Sequence, residues 1–139
     1  MNVCCIIKPD GLQHSTEIIR LLISSGIPVC ERKRMTYTKE LVDQLYNHMS
    51  TGARAQIKTN FVGKCGLALL VRAPSIRRLL AVAGVHSDPR QCAPNSIRFR
   101  FGTHGIPERI DDWDWWDNAF HRPVDMREAK RDLNLFFPS

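Results

Sequence analysis

Apolar positions along this chain fall into short continuous runs and helix-spaced stripes, with turn-forming residues between them. The run VCCII, residues 3–7, ends at Pro9 and Gly11, which predicts a buried central strand followed by a turn. A helical stripe starts after Ser15 and stops at Gly26, which predicts an amphipathic helix ended by a glycine. Its apolar positions are Ile18, Ile19, Leu22 and Ile23.

Two more strand and helix pairs follow. Residues 27–37, IPVCERKRMTY, predict a strand with one solvated side, and Thr38 is placed to cap a short second helix. The apolar face of that helix consists of Leu41, Val42, Leu45 and Met49. Residues 66–72, GLALLVR, predict a buried strand, and Pro74 is expected in the first turn of the next helix, which Gly84 ends. The apolar face of this helix consists of Ile76, Leu79 and Leu80.

The C-terminal part contains a long connection, one strand and one helix. Prolines and glycines break residues 85–116, which predicts an irregular stretch of the kind that is usually functional. Residues 116–121, WDNAFH, predict the last strand. Asp125 as N-cap with Glu128 as its capping-box partner predicts a final helix that ends near Pro138.

This order of elements predicts an α+β fold in a single domain over residues 1–139. Strands and helices alternate, and the second helix is short enough to be an excursion from the main fold. What remains is a ferredoxin-like β-α-β-β-α-β core with an antiparallel sheet and additional helices.

Charge and cysteine content narrow the class of protein. The net charge of +6 and the pI of about 9.4 suit a polyanionic partner, but charge alone does not separate nucleic acid from nucleotides or from simple solubility. The five cysteines form no CxxC pair, which indicates reduced thiols rather than a disulfide framework or a zinc site. The N-terminal apolar run is too short for a signal peptide or a membrane span, so we expect a cytoplasmic protein without membrane contact.

Four motifs occur in one order along the chain. They are IKPDG at residues 7–11, SIRFRF at 96–101, NAFH at 118–121 and LNLFFP at 133–138. Together they resemble the nucleoside diphosphate kinase family over essentially the whole chain. The resemblance implies a ferredoxin-like fold and transfer of a γ-phosphoryl group between nucleoside triphosphates and diphosphates through a phosphohistidine. It also implies Mg²⁺ bound mainly through the nucleotide phosphates, with no metal-binding residues of the chain itself, and a homo-oligomer that is a hexamer or a tetramer of dimers.

The resemblance assigns four candidate catalytic residues. His121 falls at the phosphorylated position, although a histidine at the end of a half-buried strand is also a common structural residue. Lys8 is expected to stabilise charge on the transferring phosphoryl group. Asp132 stands where the family has a glutamate that orients the histidine, and it is one methylene shorter. Tyr46 matches a tyrosine that lines the site.

The candidate nucleotide-binding residues overlap with this set. Lys8 and Arg98 are expected to contact phosphate, and Asn118 matches an asparagine that binds a sugar hydroxyl. Ser87 corresponds to a phosphate-binding threonine, and Arg54 is a further candidate for phosphate. The ordinary alternatives are a solvated lysine and a loop arginine paired with an aspartate.

Several departures from the family pattern bear on activity. Arg122 and Pro123 follow the histidine, so a serine hydroxyl that helps bind the carboxylate is missing. The helix before Gly84 lacks an expected arginine, for which Arg78 is the nearest candidate. The loop at residues 103–117 is longer and rich in Trp and Asp. Its tryptophans are expected either to stack on a base or, as the favoured alternative, to pack against a neighbouring subunit.

These departures leave two functions open. The first is a nucleoside diphosphate kinase with His121 as the phosphate carrier. The second is a catalytically idle module of the same fold that binds nucleotides or nucleic acid, which the net charge, the interleaved aromatic residues of SIRFRF and the missing serine favour.

Overall fold

The structure is a computed structural model that describes residues 1–104, 107–110 and 113–139. A four-stranded antiparallel sheet organises this part of the chain. Its strands are β1 (Asn2–Ile7), β2 (Val29–Thr36), β3 (Cys65–Arg72) and, after a hairpin of β4 (Glu108–Ile110) and β5 (Trp113–Trp115), β6 (Phe120–His121). The order across the sheet is β2-β3-β1-β6.

Helices cover both faces of this sheet. They are α1 (Ser15–Ser24), α2 (Lys39–Leu45), α3 (Thr51–Phe61), α4 (Ile76–Ala83), α5 (Ile97–Phe101) and α6 (Met126–Phe136). The connections β1-α1-β2 and β3-α4-β6 enclose the central strands, so the predicted ferredoxin-like core is confirmed, with α2, α3, α5 and α6 as the additional helices.

Strand β1 explains why its sequence is apolar without interruption. Side chains alternate between the two faces of a sheet, and both faces of β1 are covered. Cys5 and Ile7 pack with α1, α4 and α5, whereas Cys4 and Ile6 pack with α2, α3 and α6. The strand therefore lies at the centre of two hydrophobic clusters, and its C-terminal end brings Lys8 between them.

The predicted helix caps are mostly confirmed. The Thr38 side chain accepts a hydrogen bond from Leu41 N at 3.1 Å, and the Asp125 carboxylate accepts one from Glu128 N at 2.9 Å. Glu128 does not complete the expected capping box, because its carboxylate accepts from the N–H of Val124 at 3.4 Å rather than from that of the N-cap residue.

Two predicted boundaries were wrong. Ser75 caps α4, with its side chain accepting from Arg78 N at 3.0 Å. Pro74 therefore precedes the helix instead of lying in its first turn. The predicted last strand, residues 116–121, contracts to Phe120–His121, because the residues before it leave the sheet and run toward the hairpin.

The segment expected to be irregular contains regular structure. A 3-10 turn (Pro89–Gln91), α5 and the β4-β5 hairpin all lie within residues 85–116. Helix α3 was also not predicted. Its weak apolar pattern buries only Ala53, Ile57 and Phe61, but Ser50 caps it by accepting from Ala53 N at 3.1 Å.

All five cysteines are free thiols, as expected. Within the described ranges, the helices are too short or too polar to cross a lipid bilayer.

Candidate active site

A backbone link between two sequence motifs sets the position of His121. Ala119 adopts a left-handed conformation with φ 67°, which is strained for a residue with a side chain. Its N–H donates to the Asp10 carboxylate at 2.8 Å, and its carbonyl accepts from Lys8 N at 2.8 Å. The turn at Gly11 lies so close to the Ala119 backbone that a Cβ on Gly11 would be 2.6 Å from the Ala119 oxygen. These contacts fix the end of β1 against the start of β6, and hence Lys8 beside His121.

A buried carboxylate orients the histidine ring. His121 Nε2 lies 2.8 Å from Oδ2 of Asp132, whose side chain is fully buried. The aspartate therefore reaches the ring despite its shorter side chain. Arg131 Nε donates to the other oxygen, Oδ1, at 2.8 Å, so a neighbouring arginine holds the second carboxylate oxygen.

The charge state of this pair follows from its partners. Burial raises the pKa of Asp132, but the hydrogen bonds and charges of His121 and Arg131 outweigh it and hold that pKa below its usual range. An ionised carboxylate accepts hydrogen bonds only, so Nε2 carries a proton and donates it. Nδ1 forms no hydrogen bond within the described part of the chain, which leaves its lone pair available when the imidazole is neutral.

Lys8 is a buried cation that pairs with no carboxylate within residues 1–104, 107–110 and 113–139. Only 3% of the residue is exposed, and Nζ donates to Asn118 Oδ1 at 2.9 Å. Its ammonium also lies 4.7 Å from the ring centre of Trp115 and 5.5 Å from that of Phe61. Burial lowers the pKa of Lys8 to about 8, although the carboxylate of Asp10 counteracts this effect.

Two buried arginines flank the histidine strand. Arg98 donates from Nε and Nη2 to the Phe120 carbonyl, at 3.1 and 2.9 Å, and from Nη1 to the His86 carbonyl at 2.9 Å. Arg122 donates to the Gly84 carbonyl at 3.2 and 3.0 Å and to the Val85 carbonyl at 2.9 Å. Burial lowers the pKa of each, and the nearby Arg122 charge lowers that of Arg98 further.

These groups surround a cavity of about 380 Å³. Six of the predicted residues line it: Lys8, Tyr46, Ser87, Arg98, Asn118 and His121. Asn118 Nδ2 also donates to the Ser87 carbonyl at 3.0 Å, which joins the two predicted nucleotide contacts. Asp132 lies behind His121. The cavity walls are mainly apolar, with converging cations, which is the usual composition of a small-molecule site.

Two arginines proposed from the sequence lie elsewhere. Arg54 donates to the Asp43 carboxylate at 3.3 Å and does not line the cavity. Arg78 donates to the Ser25 carbonyl at 3.1 Å, on the side of α1, and does not line it either.

Sequence reasoning missed several residues of the site. Arg122 was treated only as a departure from the family pattern, and Arg131 was not considered. Trp115 and Trp116 line the cavity from within the same chain, and Trp115 packs edge-on against Tyr46 with ring centres 5.8 Å apart. The size and apolar character of both tryptophans are visible in the sequence, but the hairpin that directs their rings toward the cavity is not.

Comparison with known proteins shows the family of the chain. The model of the nucleoside diphosphate kinase family matches residues 2–139. The chain belongs to that family. Nucleoside diphosphate kinase homolog 7 of Mus musculus is 32% identical over 139 residues, which cover 96% of this chain and 32% of that protein. Nucleoside diphosphate kinase homolog 5 of Danio rerio is 25% identical over 137 residues, covering 96% of this chain and 58% of that protein. The chain therefore spans only about a third of the length of the mouse relative.

Solved structures show the same fold. A nucleoside-diphosphate kinase of Borrelia burgdorferi, solved with vanadate and ADP as a transition state mimic, has a TM-score of 0.80 at 17% identity and covers 99% of this chain and 86% of that one. The Aquifex aeolicus enzyme has a TM-score of 0.74 at 23% identity, covering 95% and 91%. At these identities the likeness establishes the α+β ferredoxin-like architecture and leaves the chemistry to the site itself.

Proposed function

We propose that this domain is a nucleoside diphosphate kinase that moves a γ-phosphoryl group through His121. One observation carries the proposal. Asp132 holds Nε2 of His121, while Nδ1 has no hydrogen-bond partner among the described residues, and His121 lines a cavity together with the buried cations Lys8 and Arg98. A neutral imidazole held in one tautomer is a competent nucleophile.

The transfer divides into two displacements. In the first, the Nδ1 lone pair attacks the γ-phosphorus of a nucleoside triphosphate. A nitrogen–phosphorus bond forms while the bond to the β–γ bridging oxygen breaks, and the diphosphate leaves with that electron pair. In the second, a terminal oxygen of an acceptor diphosphate attacks the phosphorus, and the electrons of the nitrogen–phosphorus bond return to Nδ1. The Nε2 proton remains shared with Asp132 throughout.

The other residues are proposed to bind and position the nucleotide. Lys8 and Arg98 meet negative charge that spreads over the transferring oxygens, for which a low-dielectric site with preoriented donors is effective. Asn118 is proposed to bind a sugar hydroxyl and Ser87 a phosphate oxygen. Tyr46 forms part of the wall beside His121.

Magnesium is proposed to enter with the nucleotide. No group of three or more His, Cys, Asp or Glu side chains within residues 1–104, 107–110 and 113–139 is arranged to hold a metal ion. We propose that the ligands of the ion are mainly phosphate oxygens of the nucleotide, which is common for Mg²⁺. When bound, the ion neutralises charge on the phosphates, while Lys8 and Arg98 act from the protein side.

Assembly and location are also proposals. Members of this family bind nucleotides and often form oligomers. We propose a homo-oligomer, either a hexamer or a tetramer of dimers, in the cytoplasm. The mass of the purified protein in solution tests the assembly, and a monomer at micromolar concentration contradicts it.

A second candidate is nucleotide binding without turnover. The observation that favours it is the sequence after the histidine, where buried Arg122 and Pro123 replace the residues that usually support the ring. The same buried cations suit a bound polyphosphate whether or not the histidine reacts.

Labelling with γ-labelled ATP separates the two candidates. A kinase acquires acid-labile, base-stable label, loses it to added GDP or UDP, and acquires none in the His121→Gln variant. His48 lines the same cavity and provides a matched control, so His48→Gln should still be labelled. ATP binding in calorimetry without any label on the protein supports the binding module and contradicts the kinase.

A further inference from the structure

Arg122 is placed as if to bind an anion as well as the backbone. The residue is buried, yet it lines the same cavity as Lys8, Arg98 and His121. Nε and Nη2 donate to the carbonyls of Gly84 and Val85, at the C-terminal end of α4. Nη1 makes no hydrogen bond within the described residues. Two nitrogens therefore fix the plane of the group, and the third remains available.

Among the described residues, no ion pair balances the charge of Arg122. In the described ranges, no carboxylate lies within salt-bridge distance of Arg122, Arg98 or Lys8. The carboxylate of Glu128 favours the charged form of Arg122, but it accepts a hydrogen bond from the N–H of Val124 and does not pair with the guanidinium. Three buried cations that face one cavity repel one another, and this arrangement becomes favourable only when an anion occupies the cavity.

We propose that Arg122 is a third phosphate-binding residue, whose Nη1 contacts the polyphosphate of the nucleotide. The inference rests on the proposed function, since it names a further residue for the same substrate. Arg78, the other candidate from the sequence, donates to the Ser25 carbonyl and does not line the cavity. The positive charge beside the end of α4 thus comes from Arg122, which directly follows the strand that carries His121.

A purely structural role makes a different prediction. If Arg122 only connects β6 to the end of α4, its loss lowers the unfolding temperature and lowers the affinity for all nucleotides to the same extent. If Arg122 binds phosphate, its loss lowers the affinity for ATP more than the affinity for AMP, because ATP carries more phosphate groups. The informative quantity is therefore the ratio of ATP affinity to AMP affinity.

The experiment measures that ratio by calorimetry in a His121→Gln background, which removes turnover. Arg122→Gln should lower the ratio about tenfold or more, the usual effect of losing one charge-assisted hydrogen bond. Arg122→Lys should recover part of it, and it serves as the folded variant if the glutamine protein is unstable. Arg78→Gln removes an equal charge away from the cavity and should leave the ratio unchanged.

The outcomes distinguish this inference from the proposed function. An ATP to AMP ratio within twofold of the parent value in both Arg122 variants overturns the role of Arg122, even if His121 of the parent is labelled. Absence of label on the parent protein overturns the kinase and leaves the binding result for Arg122 intact.

Discussion

Lys8→Met should stabilise the unliganded protein while removing part of its nucleotide affinity. Lys8 is almost fully buried and forms no direct ion pair with the part of the chain that the structure describes, so folding moves its charge out of water at a cost. Methionine has a similar length and no charge, and it tolerates an irregular apolar space. The substitution therefore removes the cost without leaving a large cavity.

The magnitude follows from the pKa of Lys8. Burial lowers it from 10.5 to about 8, a difference that corresponds to about 3 kcal/mol of destabilisation at pH 7. Two contacts stabilise the charged form of Lys8 by about 1–2 kcal/mol in total. They are the ring of Trp115, 4.7 Å from the ammonium, and the hydrogen bond to Asn118. We expect Lys8→Met to be more stable than the parent by about 1–2 kcal/mol at pH 7.

The difference should shrink as pH rises. Between pH about 8 and 10.5 the unfolded lysine binds more protons than the folded one, so the parent gains stability with pH over that window. The methionine variant lacks this gain. From pH 7 to pH 9.5 the variant's advantage should fall by about 2 kcal/mol.

Urea unfolding of both proteins at pH 7 and pH 9.5 measures this effect. Lys130→Met removes an exposed charge from α6 and should change stability little at either pH. A parent protein that is the more stable at pH 7, or an advantage for the variant that does not depend on pH, refutes the reasoning about the buried lysine.

Three further outcomes are expected. Asp132→Asn should slow labelling of His121 about tenfold or more in single-turnover assays with ATP affinity little changed, because an amide can favour the wrong tautomer of the ring; equal rates contradict the orienting role. Gly11→Ala should lower unfolding free energy by about 2 kcal/mol or more in urea, since its Cβ would lie 2.6 Å from the Ala119 oxygen; an unchanged midpoint rules that contact out. ATP binding at pH 8.5 should take up protons, seen by calorimetry in buffers of different ionisation enthalpy, because phosphate raises the lowered pKa of Lys8; Lys8→Met should take up fewer.

The core of the fold was predictable because its signals are local. The unbroken apolar run of β1 and the stripe of α1 follow from burial and periodicity, and Thr38 and Asp125 cap helices through contacts within three residues. Helix α3 was missed because its apolar positions are few. The β4-β5 hairpin was missed because its residues resemble a loop in composition and gain order from tertiary contacts, such as that of Trp115 with Tyr46.

Some residues of the candidate site were also predictable from the sequence, and others were not. The family resemblance of the motifs predicted Lys8, Asn118 and His121 for one site. The structure places them at one cavity because the ends of adjacent strands carry them. The partners of Arg122 are 37 and 38 positions away in sequence, and no local pattern reports such a contact. Arg54 does not line this cavity, since a nearby carboxylate on α2 binds it.

The arginines of the cavity donate their hydrogen bonds to main-chain oxygens, which makes these contacts tolerant of changes in the neighbouring side chains. Arg98 and Arg122 are held by the carbonyls of Phe120, His86, Gly84 and Val85, and every amino acid supplies such a carbonyl. Exchanges at three of these positions therefore keep the acceptors as long as the chain keeps its path. Gly84 is the exception, because its φ of 116° suits only glycine. Related sites in distant proteins are thus better recognised by the course of the backbone around two arginines than by the identity of the neighbouring side chains.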